Sequence, residues 1–405
     1  MNRSEASPQR QPTPINGSAA RPYIGGQAVL EGVMMRAPKS FAIVVRRRDG
    51  SLLVRERGML DERRGLAKLP LVRGVASLVE SLKLGSESLR FSADQMEKDL
   101  DAADREEAAA SAASKVKTAG LNALRALGLM VFALTTTDDG ATPLAGADKK
   151  KTSGTMWLML VMVIGFFIAL PQAAAAGINR LFHFGLDVQS PGFQAITGLL
   201  KLTIVVGYLT LIRRIPDIRR VFQYHGAEHK TISTYEANEA LTVANARTKT
   251  TLHPRCGTTF LVMVALVSIL MFTAVGSFLP RIQTGNAVLD NLVFFLEKLP
   301  FLPVIAAITF ELQRVFARYC TTGPLRALLW PGFLVQKITT IEPDDDQLEI
   351  ALGSLRATLF RQEKDASSER SVMSEPSEPS EDIGFPSYGA LLEASTLRPA
   401  VKQAA

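Results

Sequence analysis

The stretch "FLVMVALVSILMFTAVGSFL", positions 260–279, contains no charged side chain. At about 1.5 Å per helical residue, a run of this length crosses a hydrocarbon core of roughly 30 Å. A helix apolar on every face belongs in a bilayer or deep in a large core. The rest of the chain favours the bilayer: apolar residues make up 47% and charged residues 21% of its 405 positions, and the apolar ones are collected into blocks. "MWLMLVMVIGFFIALPQAAAA" (156–176) is also free of charge, and "FQAITGLLKLTIVVGYLTLI" (193–212) is interrupted only by Lys201. A fourth span is expected over 299–316, with Pro300 and Pro303 near its start and Glu311 near its end. Glu297 and Lys298 precede it in an expected interfacial turn. The expected fold class is an α-helical integral membrane protein with four transmembrane helices and a small α/β cytoplasmic portion.

Lys and Arg beside the spans set the orientation. Lys149, Lys150 and Lys151 precede the first span; Arg213, Arg214, Arg219, Arg220, Lys230, Arg247, Lys249 and Arg255 lie between the second and third; Arg314, Arg318 and Arg326 mark the end of the fourth. The alternate connections carry only Arg180 and Arg281. The expected localisation is the cell inner (cytoplasmic) membrane, multi-pass, with both termini cytoplasmic. Cys256 and Cys320 then face a reducing compartment, so thiols rather than a disulfide are expected. The partner implied is the lipid bilayer, and the net charge of +7 in the flanking loops attracts anionic lipid headgroups. Nucleic acid is excluded as a partner, because no basic face interleaved with aromatics is visible. No protein partner can be named from the sequence.

Around the spans the chain divides into small units. Residues 1–22, polar and rich in Pro and Ser with no secretory signal, read as a disordered tail. Residues 23–95 form an N-terminal cytoplasmic α/β segment: a strand pair over 41–57 turning at Asp49-Gly50, then an amphipathic helix. Residues 96–154 read as a linker or insert. The membrane domain covers 155–330 and includes a cytoplasmic His/Cys loop over 213–259. Residues 331–361 hold a C-terminal amphipathic helix whose acidic start, Asp344, Asp345 and Asp346, reads as a cap far sooner than as a metal site. Residues 362–405, rich in Ser, Glu and Pro, read as a second disordered tail.

The chemistry collects in the His/Cys loop, which holds three of the four histidines in the chain. His225, Glu228 and His229 follow the H-x-x-E-H spacing of the inverted zinc proteases, and on a helix all three project on one side. Gly226 costs such a helix roughly 1 kcal/mol and allows close backbone approach. In "HPRCGTT" the turn-like spacing of His253 and Cys256 presents an imidazole and a thiolate just before a rigid span. Zinc accepts mixed His, Cys and carboxylate ligands, and an open position on it gives a Lewis acid near neutral pH. Arg255 suits an anionic substrate. Taken singly each residue has a dull reading: headgroup hydrogen bonds for the histidines, a solvated charge for Glu228, a snorkelling Arg255 and a small buried Cys256.

Four blocks, "YIGGQAVLEGVMMRAP", "RRVFQYHGAEHKTISTYE", "TLHPRCGTTFL" and "PGFLVQKITTIEPDDDQLEIAL", resemble those of the YqhQ-like family. These are bacterial multi-pass membrane proteins of unknown function, described as predicted metal-dependent enzymes. The resemblance covers most of 23–359. It implies that Gly25, Gly26, Glu31, Arg36, His225, Glu228, His229, His253, Arg255 and Cys256 sit in the family's motifs, and it supplies no activity. The segment 99–154 and the two tails depart most from the family pattern.

The leading expectation is a metal-dependent hydrolase on the cytoplasmic membrane face. His225, His229, His253 and Cys256 are the candidate ligands of a divalent metal ion, zinc first among them. Glu228 is the candidate base and Arg255 the anion clamp. Glu31 and Glu311 are supporting acids, either of which could supply an additional ligand or base: Glu31 needs a partner in Arg36, another arginine or the metal, an ion pair being the readier reading, and Arg314 is the dull alternative partner of Glu311. The alternative is a non-catalytic membrane scaffold or assembly factor in which the same residues form a structural metal or polar clip. Lys201, Glu297 and Glu311 are too few and too peripheral for a transport path.

Overall fold

The computed structural model describes residues 22–59, 72–108, 166, 169–280, 285, 287–320, 323–368 and 382–394. Among them, four strands near the N-terminus, β1 (Gly25–Val29), β2 (Gly32–Ala37), β3 (Ser40–Arg46) and β4 (Leu52–Gly58), form an antiparallel meander. A fifth, β5 (Asp382–Phe385), pairs along β4 at the edge. The expected hairpin is β3 and β4. Its turn is set by Gly50 at φ 84° and by Asp49, whose Oδ1 accepts from the Ser51 main-chain N–H at 2.9 Å. β1 and β2 were not expected, for a physical reason: the sheet is buried on both faces. Val33, Met35, Ala42 and Val44 enter the larger core, while Val29, Met34, Phe41, Ile43 and Val45 pack on the other side with Leu84 and Phe91. A strand covered on both sides shows no polar alternation.

Helix α1 (Val72–Ala108) supplies that second cover and runs past the expected boundary at 95, into the segment read as a linker. The remainder of that segment lies outside the described residues, as does most of the first expected span. The described end of that span belongs to α2 (Leu170–Leu181), which packs beside α3 (Pro191–Ile212). The His/Cys loop is largely helical: α4 (Pro216–Glu236) and the short α5 (Val243–Arg247) fill it. After it come α6 (Gly257–Val275), α7 (Ala287–Lys298), a 3-10 turn over Leu299–Phe301, and α8 (Leu302–Tyr319). Among the described residues, three helical segments are long and apolar enough to cross a membrane: Pro191–Ile212, Gly257–Val275 and Leu292–Tyr319. The last begins earlier than expected, because the interfacial turn before it is helical, with Pro300 and Pro303 at first-turn positions that need no N–H donor. Leu199, Leu211, Leu270 and Phe278 point outward and exposed, as lipid-facing side chains do.

The chain closes with α9 (Trp330–Thr339), α10 (Asp345–Ser368), β5 and α11 (Tyr388–Glu393). α10 covers the first face of the sheet: Leu348, Ala351, Leu352 and Leu355 enter the core, and Ser354 Oγ donates to the Ala42 carbonyl at 3.1 Å. Its acidic start is a cap. Asp344 Oδ1 accepts from the Gln347 N–H at 2.9 Å, and Gln347 Oε1 accepts from the Asp344 N–H at 3.0 Å, a reciprocal capping box. Asp345 pairs with Arg247, and Asp346 with Arg46 at 2.6 Å. The tail expected to be disordered from 362 onward is corrected in part: α10 continues to Ser368, and β5 and α11 are built from 382–393 because β4 offers an open edge.

Helix α4 joins the sheet to the membrane helices, and Gly226 fixes how it lies. A Cβ at that position would stand 2.1 Å from the Ile341 carbonyl oxygen, where the segment after α9 crosses the helix. That segment is anchored one turn earlier by Ile341 N–H donating to the Phe222 carbonyl at 2.9 Å. Gly226→Ala is therefore expected to destabilise the protein by about 2 kcal/mol or more, since main chain has to move. Gly353→Ala, inside α10 with only ordinary contacts, is expected to be neutral or to stabilise by up to about 1 kcal/mol. Thermal unfolding of the two detergent-solubilised variants checks this; equal midpoints would contradict it.

Candidate metal centre

α4 is buried along most of its length, so the one-sided projection of its polar residues is into protein rather than water. His225 and His229 stand one turn apart with ring centroids at 4.4 Å. Cys256 reaches them from the start of α6, its Sγ 3.2 Å from His225 Nε2. Ligand atoms of His225, His229 and Cys256 all lie within 4.8 Å of one another, and all three residues are buried.

Main-chain carbonyls decide which ring atoms face the cluster. His225 Nδ1 sits 2.9 Å from the Thr339 carbonyl oxygen, and His229 Nδ1 sits 2.5 Å from that of Thr251. A carbonyl can only accept, so both Nδ1 atoms carry the proton and both Nε2 atoms present lone pairs. Histidines that bind metals are commonly held in this way. Burial, opposed by the Thr339 hydrogen bond, lowers the His225 pKa from 6.5 to about 4. Burial, reinforced by the neighbouring His225 and His253, holds His229 well below 6.5. Both rings are neutral at pH 7. Cys256 is the N-cap of α6, where Sγ accepts from the Thr258 N–H at 3.4 Å and lies 3.1 Å from Thr258 Oγ1. A helix N-terminus favours the negative charge of a metal-binding thiolate.

The other sequence candidates take different places. His253 lies outside the three-residue group, with its ring centroid 5.7 Å from His229 and its Nε2 3.3 Å from Glu236. Arg255 pairs with Glu236 and stacks over Tyr23, 4.6 Å from the ring. Glu228 is buried and lies on β1, where a Cβ at Gly26 would come within 2.9 Å of its carboxyl carbon. Gly26 thus leaves room for the acid. Glu31 is not brought to the cluster. It is held by both Arg220 Nε and Nη2 at 2.5 Å, with Tyr224 Oη donating at 3.2 Å. Glu311 is likewise paired with Arg73, at 2.7 and 2.5 Å, and not with its helical neighbour Arg314.

Two glutamines that the sequence reading passed over set the geometry. Gln336, buried on α9, accepts from the His253 N–H at 2.9 Å and donates to the His253 carbonyl at 2.7 Å, so it holds that turn from both sides. Gln313 on α8 donates to the Cys256 carbonyl at 3.1 Å. The only sequence signal for Gln336 is an amide inside the otherwise apolar "GFLVQ".

Residues 69–361 match a family described as "Protein of unknown function (DUF1385)". The chain is 29% identical over 350 residues to "Uncharacterized protein YqhQ" of Bacillus subtilis (strain 168), an alignment covering 84% of this chain and 92% of that protein. No solved structure matches.

The depressed His225 pKa has a consequence for stability. Above pH 6.5 the ring is neutral in both folded and unfolded chains and contributes nothing. As pH falls from 6.5 towards about 4 only the unfolded chain takes up the proton, so stability declines, by roughly 3 kcal/mol for this group, and then levels off. Thermal midpoints of chelator-treated protein measured from pH 7.5 to 4.5 are expected to fall below about pH 6.5. A flat profile would contradict a buried neutral ring.

Proposed function

The chain belongs to the DUF1385 family, and we propose that it is a membrane-embedded metal-dependent hydrolase holding one divalent ion between His225 Nε2, His229 Nε2 and Cys256 Sγ. The observation that carries this reading is the pair of carbonyl-fixed imidazoles whose lone pairs face one thiol. Two imidazoles and a thiolate suit zinc, and a set of three protein ligands leaves a position open, as in catalytic rather than structural zinc sites. Bound there, the ion would supply Lewis acidity and an acidified water near neutral pH. Glu228, one turn from His225 on the same helix, is the group assigned to take the proton. Arg255 is assigned to the substrate's negative charge, and His253 to positioning through its hydrogen bond with Glu236 rather than to ligation. We assign the sheet, α4 and the centre to the cytoplasmic side, where the basic flanks collect.

A second reading is favoured by one observation, the burial of all three ligand residues: a structural clip tying α4 to the start of α6. The two readings part on Glu228. Purified wild-type protein is expected to contain about one zinc per chain by elemental analysis. His225→Ala, His229→Ala and Cys256→Ser should each lose most of it, and His253→Ala should retain it. Under the catalytic reading Glu228→Gln keeps the metal and the fold but loses turnover of ester or phosphoester substrates by at least about a hundredfold. Wild-type protein purified without chelator that is fully folded and holds no stoichiometric metal would remove both readings. A metal-loaded wild type inert towards all such substrates would leave the clip.

A further inference from the structure

Beside the centre, at the end of the membrane helices that carries the sheet, lies a cavity of about 660 Å³. Five guanidinium groups line it: Arg36 from β2, Arg73 from α1, Arg255 from the turn before α6, and Arg314 and Arg318 from α8. Among the described residues, the carboxylate in the lining is that of Glu80, 4.0 Å from Arg36. Arg73 is matched by Glu311 and Arg255 by Glu236. Among the described residues, no carboxylate is paired with Arg314 or Arg318.

Arginines near the end of a span ordinarily reach separately into the headgroup layer. Here residues far apart in sequence bring five of them to one hollow, and among the described residues three acids are set against these five cations, a surplus that an anion of one or two charges would match. Planar guanidinium forks favour phosphate, with its several acceptor oxygens. The remaining wall includes Met59, Phe310 and Ala317. Outside it the apolar Val79 of α1 and Val315 of α8 are exposed, as are Val72 and Tyr319. An amphiphile fits both features, with its phosphate in the cavity and its chains along the lipid-facing side of α8.

We propose that this cavity is a binding site for the phosphate headgroup of an anionic lipid. Arg314 and Arg318 are its principal contacts. The inference goes beyond the metal reading and does not depend on it, because the arginines need no ion to act.

The test is equilibrium binding of fluorescent phosphatidic acid to the full-length protein in neutral detergent micelles. Competitors are unlabelled phosphatidic acid, phosphatidylcholine and inorganic phosphate. Phosphatidic acid is expected to compete at least about tenfold better than phosphatidylcholine, and Arg314→Gln/Arg318→Gln to weaken binding by about tenfold or more, the scale of losing charge-assisted hydrogen bonds. Arg219→Gln, a basic residue outside the cavity, should bind within about twofold of wild type. Loss of binding in the double variant with an unchanged thermal midpoint supports the site. Equal competition by phosphatidylcholine, or unchanged binding by the double variant, would overturn it. Full displacement by millimolar inorganic phosphate would assign the cavity to free phosphate and overturn the lipid. Because metal content is measured separately, failure here leaves the hydrolase reading intact, and the reverse holds too.

Discussion

Two main-chain carbonyls, those of Thr251 and Thr339, hold the imidazoles of His229 and His225, and the arrangement of the centre follows from them. Each lies outside α4, one in the segment leading to the His253 turn and the other at the end of α9. Neither imidazole can point its Nε2 at Cys256 unless both segments are seated on the helix. The close crossing at Gly226 seats the second, and the two-sided grip of Gln336 on His253 seats the first. Burial then removes the competing choice, protonation, by lowering the pKa of both rings. The candidate membrane helices, the sheet and the His/Cys cluster are therefore tied together through α4. α4 carries its histidines on a helix whose neighbouring residues Val221, Phe222 and Ala227 belong to the core shared with the sheet.

What could be read from the chain beforehand follows the range of the interaction responsible. Apolar blocks at 193–212 and 260–279 announce themselves because every residue meets the same solvent, and both are helices here. The spacing of His225, Glu228 and His229 was legible because a helix converts sequence separation into direction. Asp49-Gly50 was legible because a tight turn selects its residues locally. By contrast, β1 and β2 read as one apolar run, since burial on both faces erases the period of two. β5 is four residues in a polar context, and only the open edge of β4 makes it a strand.

The site divides in the same way. The residue types of the cluster were visible, but the grouping of Cys256 rather than His253 with His225 and His229 was not, because Gln336 and Glu236 hold the His253 turn and ring elsewhere. Carbonyl partners carry no side-chain signal, so the groups that orient the histidines could not be named. For Glu31 and Glu311 an arginine partner was legible as a need, but which arginine was not, because the partners are distant in sequence. Glu31 finds Arg220 across 189 positions and Glu311 finds Arg73 across 238.

The short turn His253-Pro254-Arg255-Cys256 shows how one local geometry serves both candidate sites. Cys256 has an extended backbone, φ −71° and ψ 145°, as an N-cap residue requires. The turn closes with the Cys256 N–H donating to the His253 carbonyl at 3.4 Å. The thiol enters the histidine cluster while the Arg255 guanidinium stands over Tyr23 and lines the arginine-rich cavity. Gln313 sits at the boundary, lining the cavity while holding the Cys256 carbonyl. One turn thus contributes the Arg255 side chain to the cavity and the Cys256 thiol to the histidine cluster, and it can do both because Gln336 on α9 and Gln313 on α8 fix its main chain from two sides.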